Sequence, residues 1–299
     1  MTSNSNWQTY RVILRLRAPL HIGWGKVSYL QRTRPYVTGR VLRGALVNRV
    51  GRNGNIRGEN PLDPFRCVSK TFAQYLTFTY FYPALNIKGK DWTVCFPWNE
   101  EANFRCRFLS SYMSTALSYP PQSAEEGSLH EIEFISPYTL DTGDPVHLMG
   151  YIFVEEGREK YDWQSALKRI QLGGERGYGW GEAQAEVIQP LEPKDSRLSL
   201  FGQAVVLDGS DRRPRLKLEK DAQVWAHVRA TGAVSVSGPI EPLVGREWRA
   251  EKSHRQHIGQ YLNPNGVCYL PGSIVKEAAD FLIGEGGIWQ GATSEGGAI

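Results

Sequence analysis

A polyanion is held by guanidinium forks, free backbone amides and flat aromatic rings. The stretch Leu172-Gly173-Gly174-Glu175-Arg176-Gly177-Tyr178-Gly179-Trp180-Gly181 holds all three, with five glycines among its ten residues. Glycine permits positive φ and close approach of another backbone. Free amides on such a loop cradle phosphate. Arg176 adds a charged fork, and Tyr178 and Trp180 offer faces for stacking bases. The competing reading is a tight turn whose glycines only satisfy geometry. The loop does not end in Gly-Lys-Ser/Thr, so it is not a Walker A loop. It follows a helical pattern and precedes a strand pattern, the reverse of a dinucleotide fingerprint.

Other residues admit chemistry of their own. His21 lies in a glycine-punctuated turn, where it is either a general base towards a 2′-hydroxyl or a phosphate contact. Asp141 and Asp144 occupy the turn Asp141-Thr142-Gly143-Asp144-Pro145, as RNA-cutting carboxylates or as turn formers. His254 and His257 are spaced i, i+3 with no evident third metal ligand. Cys67, Cys95, Cys106 and Cys268 are scattered without a C-x-x-C pair, so they read as reduced core thiols. Neither a metal nor a cofactor is expected.

Charge is segregated along the chain. The net charge is +4, yet residues 1–58 contain eleven basic side chains, ten of them arginine, and no aspartate or glutamate. Such a block in a foldable, aromatic-containing segment points to a polyanion, nucleic acid first. An acidic protein partner for a scaffold is a further reading. Arginine favours bidentate phosphate contacts over mere solubility. The hydrophobic fraction of 41% is enough for a real core. No apolar run approaches the length of a membrane span. The polar start, without a signal-peptide core, leads us to expect a cytoplasmic protein.

The elements follow from periodicity. Trp7 to Arg17 alternates as a strand, with Tyr10, Val12, Leu14 and Leu16 on one face and Arg11, Ile13, Arg15 and Arg17 on the other. Val41, Leu42, Ala45, Leu46 and Val50 share a helical face, with Arg40, Arg43 and Arg49 towards the other and Thr38 or Gly39 as cap. Residues 51–64 read as a loop, Lys70 to Tyr82 as an apolar helix or strand, and Trp92 to Pro97 as a strand. Phe104 to Leu117 reads as a helix. His130 to Ile135 and Val146 to Val154 read as strands joined by the Asp141 turn. The helical pattern from Asp162 then leads through the glycine loop to a strand from Glu182. A boundary is expected at Pro190 to Asp195, giving domains 1–190 and 191–299. In the second, short β-type runs precede Leu270-Pro271-Gly272-Ser273, which echoes Val37-Thr38-Gly39-Arg40 and suggests a degenerate repeat ending in a helix.

Three of these stretches resemble one family. Arg17-Ala18-Pro19-Leu20-His21-Ile22-Gly23-Trp24-Gly25 resembles the first strand and turn of the RAMP proteins, the RNA-recognition-motif-like subunits of CRISPR effector complexes. Tyr36-Val37-Thr38-Gly39-Arg40-Val41-Leu42-Arg43-Gly44-Ala45-Leu46 resembles their helix start, with Thr38-Gly39-Arg40 where Pro-Gly-Ser is usual. Leu172 to Gly181 resembles their glycine-rich loop. The resemblance implies an α+β, ferredoxin-like (RRM-like) fold with a β-rich C-terminal domain, itself a candidate second RAMP half. It also implies crRNA as ligand and other effector subunits, with target RNA, as partners. The Gly-Gly-Glu-Arg form of the loop and Tyr82-Pro83-Ala84-Leu85 look most like the type III subunit that caps the crRNA 5′ tag without cutting. The residues expected to contact RNA are His21, Lys26, Arg32, Arg34, Arg40, Arg43, Gly173, Gly174, Arg176, Gly177, Tyr178, Gly179 and Trp180. The alternative is an endoribonuclease, processing crRNA through His21 or cutting target RNA through Asp141 or Asp144.

Overall fold

In the computed structural model the alternating opening stretch is strand β1 (Trp7–Leu16), with Val12, Leu14 and Leu16 fully buried. Burying each such side chain contributes roughly 1.5–3 kcal/mol. The residues described are 7–53, 63–87, 89, 91–120, 123–194, 197–208, 213–247 and 261–292. They form a strand-rich, mixed α/β structure that has four α-helices among the described residues, divided into two compact units, Asn6–Glu192 and Pro193–Ile299.

In the first unit β1 is followed by β2 (Gly23–Val27), β3 (Leu30–Thr33), α1 (Gly39–Asn53), α2 (Asp63–Tyr75), β4 (Leu76–Phe78), β5 (Tyr82–Ile87) and β6 (Asp91–Val94). Next come α3 (Glu101–Phe108), β7 (Leu109–Ser114), the short β8 (Leu117–Ser118) and β9 (Ser123–Ala124), and β10 (His130–Ile135). The unit ends with β11 (His147–Glu155), α4 (Trp163–Leu167), β12 (Ile170–Gln171) and β13 (Glu182–Leu191). The main sheet runs β12-β13-β1-β11-β5-β6, with β4 also paired to β11, and its pairs are antiparallel. A smaller sheet runs β2-β3-β10-β7. Leu42 and Leu46 of α1, Phe72 of α2, and Trp163 and Leu167 of α4 join Val12, Leu14, Leu16, Ile152 and Val154 in one core. Helix α1 starts where the amides of Val41 and Leu42 turn back onto the Thr38 carbonyl, at 3.0 and 3.2 Å. Helix α4 starts at Asp162, whose carboxylate accepts the Ser165 amide at 2.9 Å.

Pairing of β1 with β13 slips between Ile13 and Leu14, leaving Glu186 as the extra residue of a bulge. Bulges re-aim side chains, and here the Glu186 carboxylate reaches Nε2 of buried His147 at 3.0 Å.

Several expectations are corrected. His21 to Lys26 is not merely a turn, because Gly23–Val27 pairs antiparallel with Leu30–Thr33. Of the expected 51–64 loop, residues 51–53 belong to α1 and 63–64 to α2, and residues 54–62 lie outside those described. The Phe104 to Leu117 helix stops at Phe108. Beyond it the backbone pairs with β10, as Leu109 with Ile135 and Tyr112 with Ile132, which holds it extended. His130 to Ile135 and the β11 strand are not hairpin partners but lie in different sheets. Cys67 and Cys106 are exposed rather than core thiols.

The second unit, by itself, is built on an eight-stranded sheet around Trp225, Phe281 and Trp289. The helix expected after Leu270-Pro271-Gly272-Ser273 is absent. The Gly272 amide donates to Val224 O and the Val275 amide to Ala222 O, both at 2.9 Å. These sideways bonds keep Ile274–Val275 extended as a strand. His254 and His257 lie outside the described residues.

Burial disfavours the charged form of His147 and lowers its pKa below 6.5, outweighing the opposing pull of Glu186. On acidification the unfolded chain therefore takes up this proton first. His147 contributes stability that is complete above 6.5 and lost as pH falls through the depressed folded value. Urea unfolding followed across that window should show stability falling with pH. His147→Gln should flatten the slope by up to one proton.

Candidate nucleic-acid interface

The site is assembled along one strip of backbone, residues 17–22, between β1 and β2. On one side it meets the glycine loop and the start of β13. The Arg17 amide donates to Glu182 O at 2.8 Å, Gly181 N to Pro19 O at 2.7 Å, and Gly174 N to His21 O at 2.8 Å. On the other side it meets the smaller sheet. Leu20 and Ile135 exchange amide bonds at 3.0 and 2.8 Å, and Ile22 N donates to the Thr33 hydroxyl at 2.8 Å. The basic N-terminal segment and the glycine loop thus share a seam.

This seam explains the glycines. At Gly173, with φ of +71°, a Cβ would stand 2.2 Å from His21 O. At Gly181, with φ of +79°, it would stand 1.8 Å from Leu172 O. No side chain fits either place. The amides of Leu172, Gly174, Tyr178, Gly179, Trp180 and Gly181 already donate to carbonyls within the protein. The loop is therefore less an open amide cradle than a tightly packed bracket. Its exposed tip is Arg176, Gly177, Tyr178 and Gly179, with Tyr178 82% exposed. Trp180 turns towards the smaller sheet, edge-on to Phe134 at 5.1 Å between ring centroids.

His21 is buried in the seam. Its Nδ1 donates to Glu133 O at 2.7 Å, and its ring lies 3.3 Å from where a Cβ on Gly174 would be. The Glu133 carboxylate is also buried and gathers several donors. It accepts Arg105 Nη2 at 2.6 Å and Thr33 N at 2.9 Å, with Arg32 Nε at 4.0 Å. Burying a carboxylate is costly unless donors surround it, and these donors fix β3 against β10. Arg32 and Arg34 place their guanidinium carbons 4.9 and 5.7 Å from the Trp24 ring centroid. Arg34 also donates to the Tyr36 hydroxyl at 3.2 Å. Lys26 is exposed on β2.

The structure thus gathers His21, Lys26, Arg32 and Arg34 on the seam and the sheet beside it, with residues 173–180 across the seam. It gives the two helix arginines different settings. Arg40 is half-buried in the first turn of α1, whereas Arg43 clamps α1 to α2 by donating to the Ser69 carbonyl and hydroxyl at 2.9 and 2.8 Å. Asp141 pairs with Arg107 at 3.1 Å and caps its own turn by accepting Thr142 N at 2.8 Å. Partial desolvation alone would raise the Asp141 carboxyl. The Thr142 amide and the Arg107 charge outweigh it and hold the pKa below the ordinary value. Asp144 accepts the Thr142 hydroxyl. Both carboxylates are exposed and built into the turn. Among the described residues no group of three or more His, Cys, Asp or Glu side chains is placed to hold a metal.

Sequence reasoning passed over Trp24, Arg105 and Glu133. The Gly-Trp-Gly triplet beside basic residues was a signal for the first. Nothing in the pattern marked Glu133, because its role comes from three separated elements.

No family model matches the sequence, and no curated protein matches it significantly. Among solved structures the chain is similar to one from the type III-B Cmr-beta complex bound to cognate target RNA and AMPPnP. The identity is 12% over 89% of this chain and 86% of that one, with a TM-score of 0.48. A chain of the Cmr-beta apo state matches at 10% identity over 62% of this chain and 97% of that one, with a TM-score of 0.35. A third, bound to cognate target RNA, matches at 10% identity over 59% and 96%, also with a TM-score of 0.35.

The glycines of this bracket differ in tolerance. Gly181→Ala should cost about 2–4 kcal/mol through the carbonyl clash and the positive φ. Gly177→Ala, where a Cβ meets nothing within 4 Å, should cost less than about 1 kcal/mol. Urea denaturation midpoints of the two variants measure the difference.

Proposed function

We propose that the chain is a non-catalytic, crRNA-binding subunit of a type III CRISPR effector ribonucleoprotein in antiviral defence, gripping the guide near its 5′ tag. One observation carries this reading: the acid-free, arginine-rich segment and the glycine loop are hydrogen-bonded along residues 17–22. The motifs resembling RAMP proteins fall on that seam or on the helix that follows it. Strand order supports the same reading. Taken as β1, α1 with α2, β4, β11, α4 and β13, the first unit is a βαββαβ chain ordered β13-β1-β11-β4, as in a ferredoxin-like sheet. In this reading residues 1–190 are the RNA-gripping RAMP domain. Residues 191–299 form a β-rich domain, and other effector subunits and target RNA complete the complex in the cytoplasm. Among the described residues no helix is long and apolar enough to cross a membrane.

The phosphate contacts would come from Arg176 at the exposed tip and from Lys26 and Arg34 beside the seam. For the nuclease alternative, the exposed, ionised Asp141 carboxylate is the better placed candidate. Burial favours His21 as a wedge in the seam over a base that must reach a 2′-hydroxyl. Labelled RNA incubated with the protein and magnesium should stay intact. Cleavage lost in Asp141→Ala or Asp144→Ala would replace binding by cutting.

Binding itself is tested by fluorescence anisotropy with single-stranded RNA across a salt series. Affinity should fall steeply with salt, each phosphate contact adding about 0.7 to the slope of log K against log salt. Arg176→Ala should remove about one contact and about 0.5–1.5 kcal/mol. Affinity indifferent to salt would overturn the assignment.

A further inference from the structure

Strand β2 is exposed along its whole length and forms one edge of the smaller sheet. Its pairing with β3 is irregular at one point: Gly23 faces Thr33, but Gly25 already faces Arg32. Trp24 is therefore the extra residue of a β-bulge, and a bulge turns its side chain out of the regular pleat. The two glycines beside it crowd nothing. A Cβ on Gly25 would meet no atom within 4 Å, and one on Gly23 only His21 Nε2 at 3.4 Å.

The indole that this bulge presents is 44% exposed, whereas Trp163, Trp225 and Trp289 are buried in cores. A lone exposed aromatic needs no explanation. This one differs because two cations attend it, the Arg32 and Arg34 guanidiniums at 4.9 and 5.7 Å from its ring centroid. Arg32 is steadied in turn by the buried Glu133 carboxylate, 4.0 Å from its Nε. Lys26 stands exposed two residues on. An indole and guanidinium planes with further cations nearby match the chemistry of a single-stranded nucleotide. The base stacks on flat π-surfaces and the flanking phosphates meet the cations.

We propose that Trp24 is a base-stacking site for single-stranded RNA, with Arg32 completing the stack and Lys26 and Arg34 taking the adjacent phosphates. This rests on the reading of the chain as an RNA-binding subunit and adds a contact to a base, where the glycine loop offers contacts to backbone. An exposed tryptophan could serve a protein partner instead. The flanking cations favour the nucleotide.

The test uses the full chain and a short single-stranded oligouridine carrying one 2-aminopurine, whose fluorescence is quenched when it stacks on an indole. The wild type should quench the probe on binding. Trp24→Ala should abolish most of the quenching and weaken binding about 5- to 100-fold. Its salt slope should be unchanged, because no charge is removed. Trp24→Phe should keep most of the affinity, which separates stacking from disruption of the hairpin. Lys26→Ala should do the opposite of Trp24→Ala, lowering the salt slope by about 0.7 with quenching retained. If Trp24→Ala binds and quenches like the wild type, the stacking site is overturned and the indole is left to a protein contact, while the RNA-binding reading stands. If the wild type binds no RNA at low salt, both fail together.

Discussion

Everything at the candidate interface hangs on the backbone of residues 17–22, a strip with hydrogen-bond partners on both sides. Amides of the glycine loop meet its carbonyls at Pro19 and His21, and Ile135 and Thr33 of the smaller sheet take up Leu20 and Ile22. Backbone donors and acceptors buried in a seam must be paired. The loop and the sheet are therefore set against the strip at hydrogen-bond distance. A side chain at Gly173 would run into the His21 carbonyl of the strip, and one at Gly181 into the Leu172 carbonyl of the loop itself. The glycines are required by packing first, and the exposure of Arg176 and Tyr178 follows from how the packed loop must close.

Charge is organised by a second constraint. Glu133, from a strand deep in the sequence, is the buried anion beside a segment that has none of its own. It ties Arg105 and the Thr33 amide together and stands near Arg32, while its backbone carbonyl holds the His21 ring. On and beside the hairpin, Arg32 and Arg34 stay half-buried next to Trp24, and Lys26 is exposed. Two β-bulges do related work. One turns Glu186 towards His147, and the other turns Trp24 out of its strand.

The local elements with strong periodicity were legible in the sequence. The alternation of β1 and the apolar stripe of α1 are each set by residues that are neighbours along the chain, so reading them needs no tertiary knowledge. Where segments of ambiguous pattern met, the tertiary context decided. Phe104 to Leu117 carries apolar residues suited to either state, and pairing with β10 draws its second half into a strand. Ser273 to Ala279 looks like a helix start, but bonds from Gly272 and Val275 to residues 224 and 222 keep Ile274–Val275 extended.

The chain's own residue order determined that a basic, acid-free opening segment would carry arginines in a strand and a helix. It also determined that a loop dense in glycine would hold one arginine and two aromatics. Those are properties of composition and short spacing, and they survive in any fold. Only the tertiary structure decided which of these residues face outward, that Trp180 turns inward while Trp24 turns outward, and that His21 is sealed between loop and sheet. The physical reason is that the sealing of His21 and the setting of the loop depend on hydrogen bonds between segments more than a hundred residues apart, such as His21 with Glu133 and with Gly174, while the turn of Trp24 depends on where the β2–β3 register slips. No local pattern encodes such distant pairings.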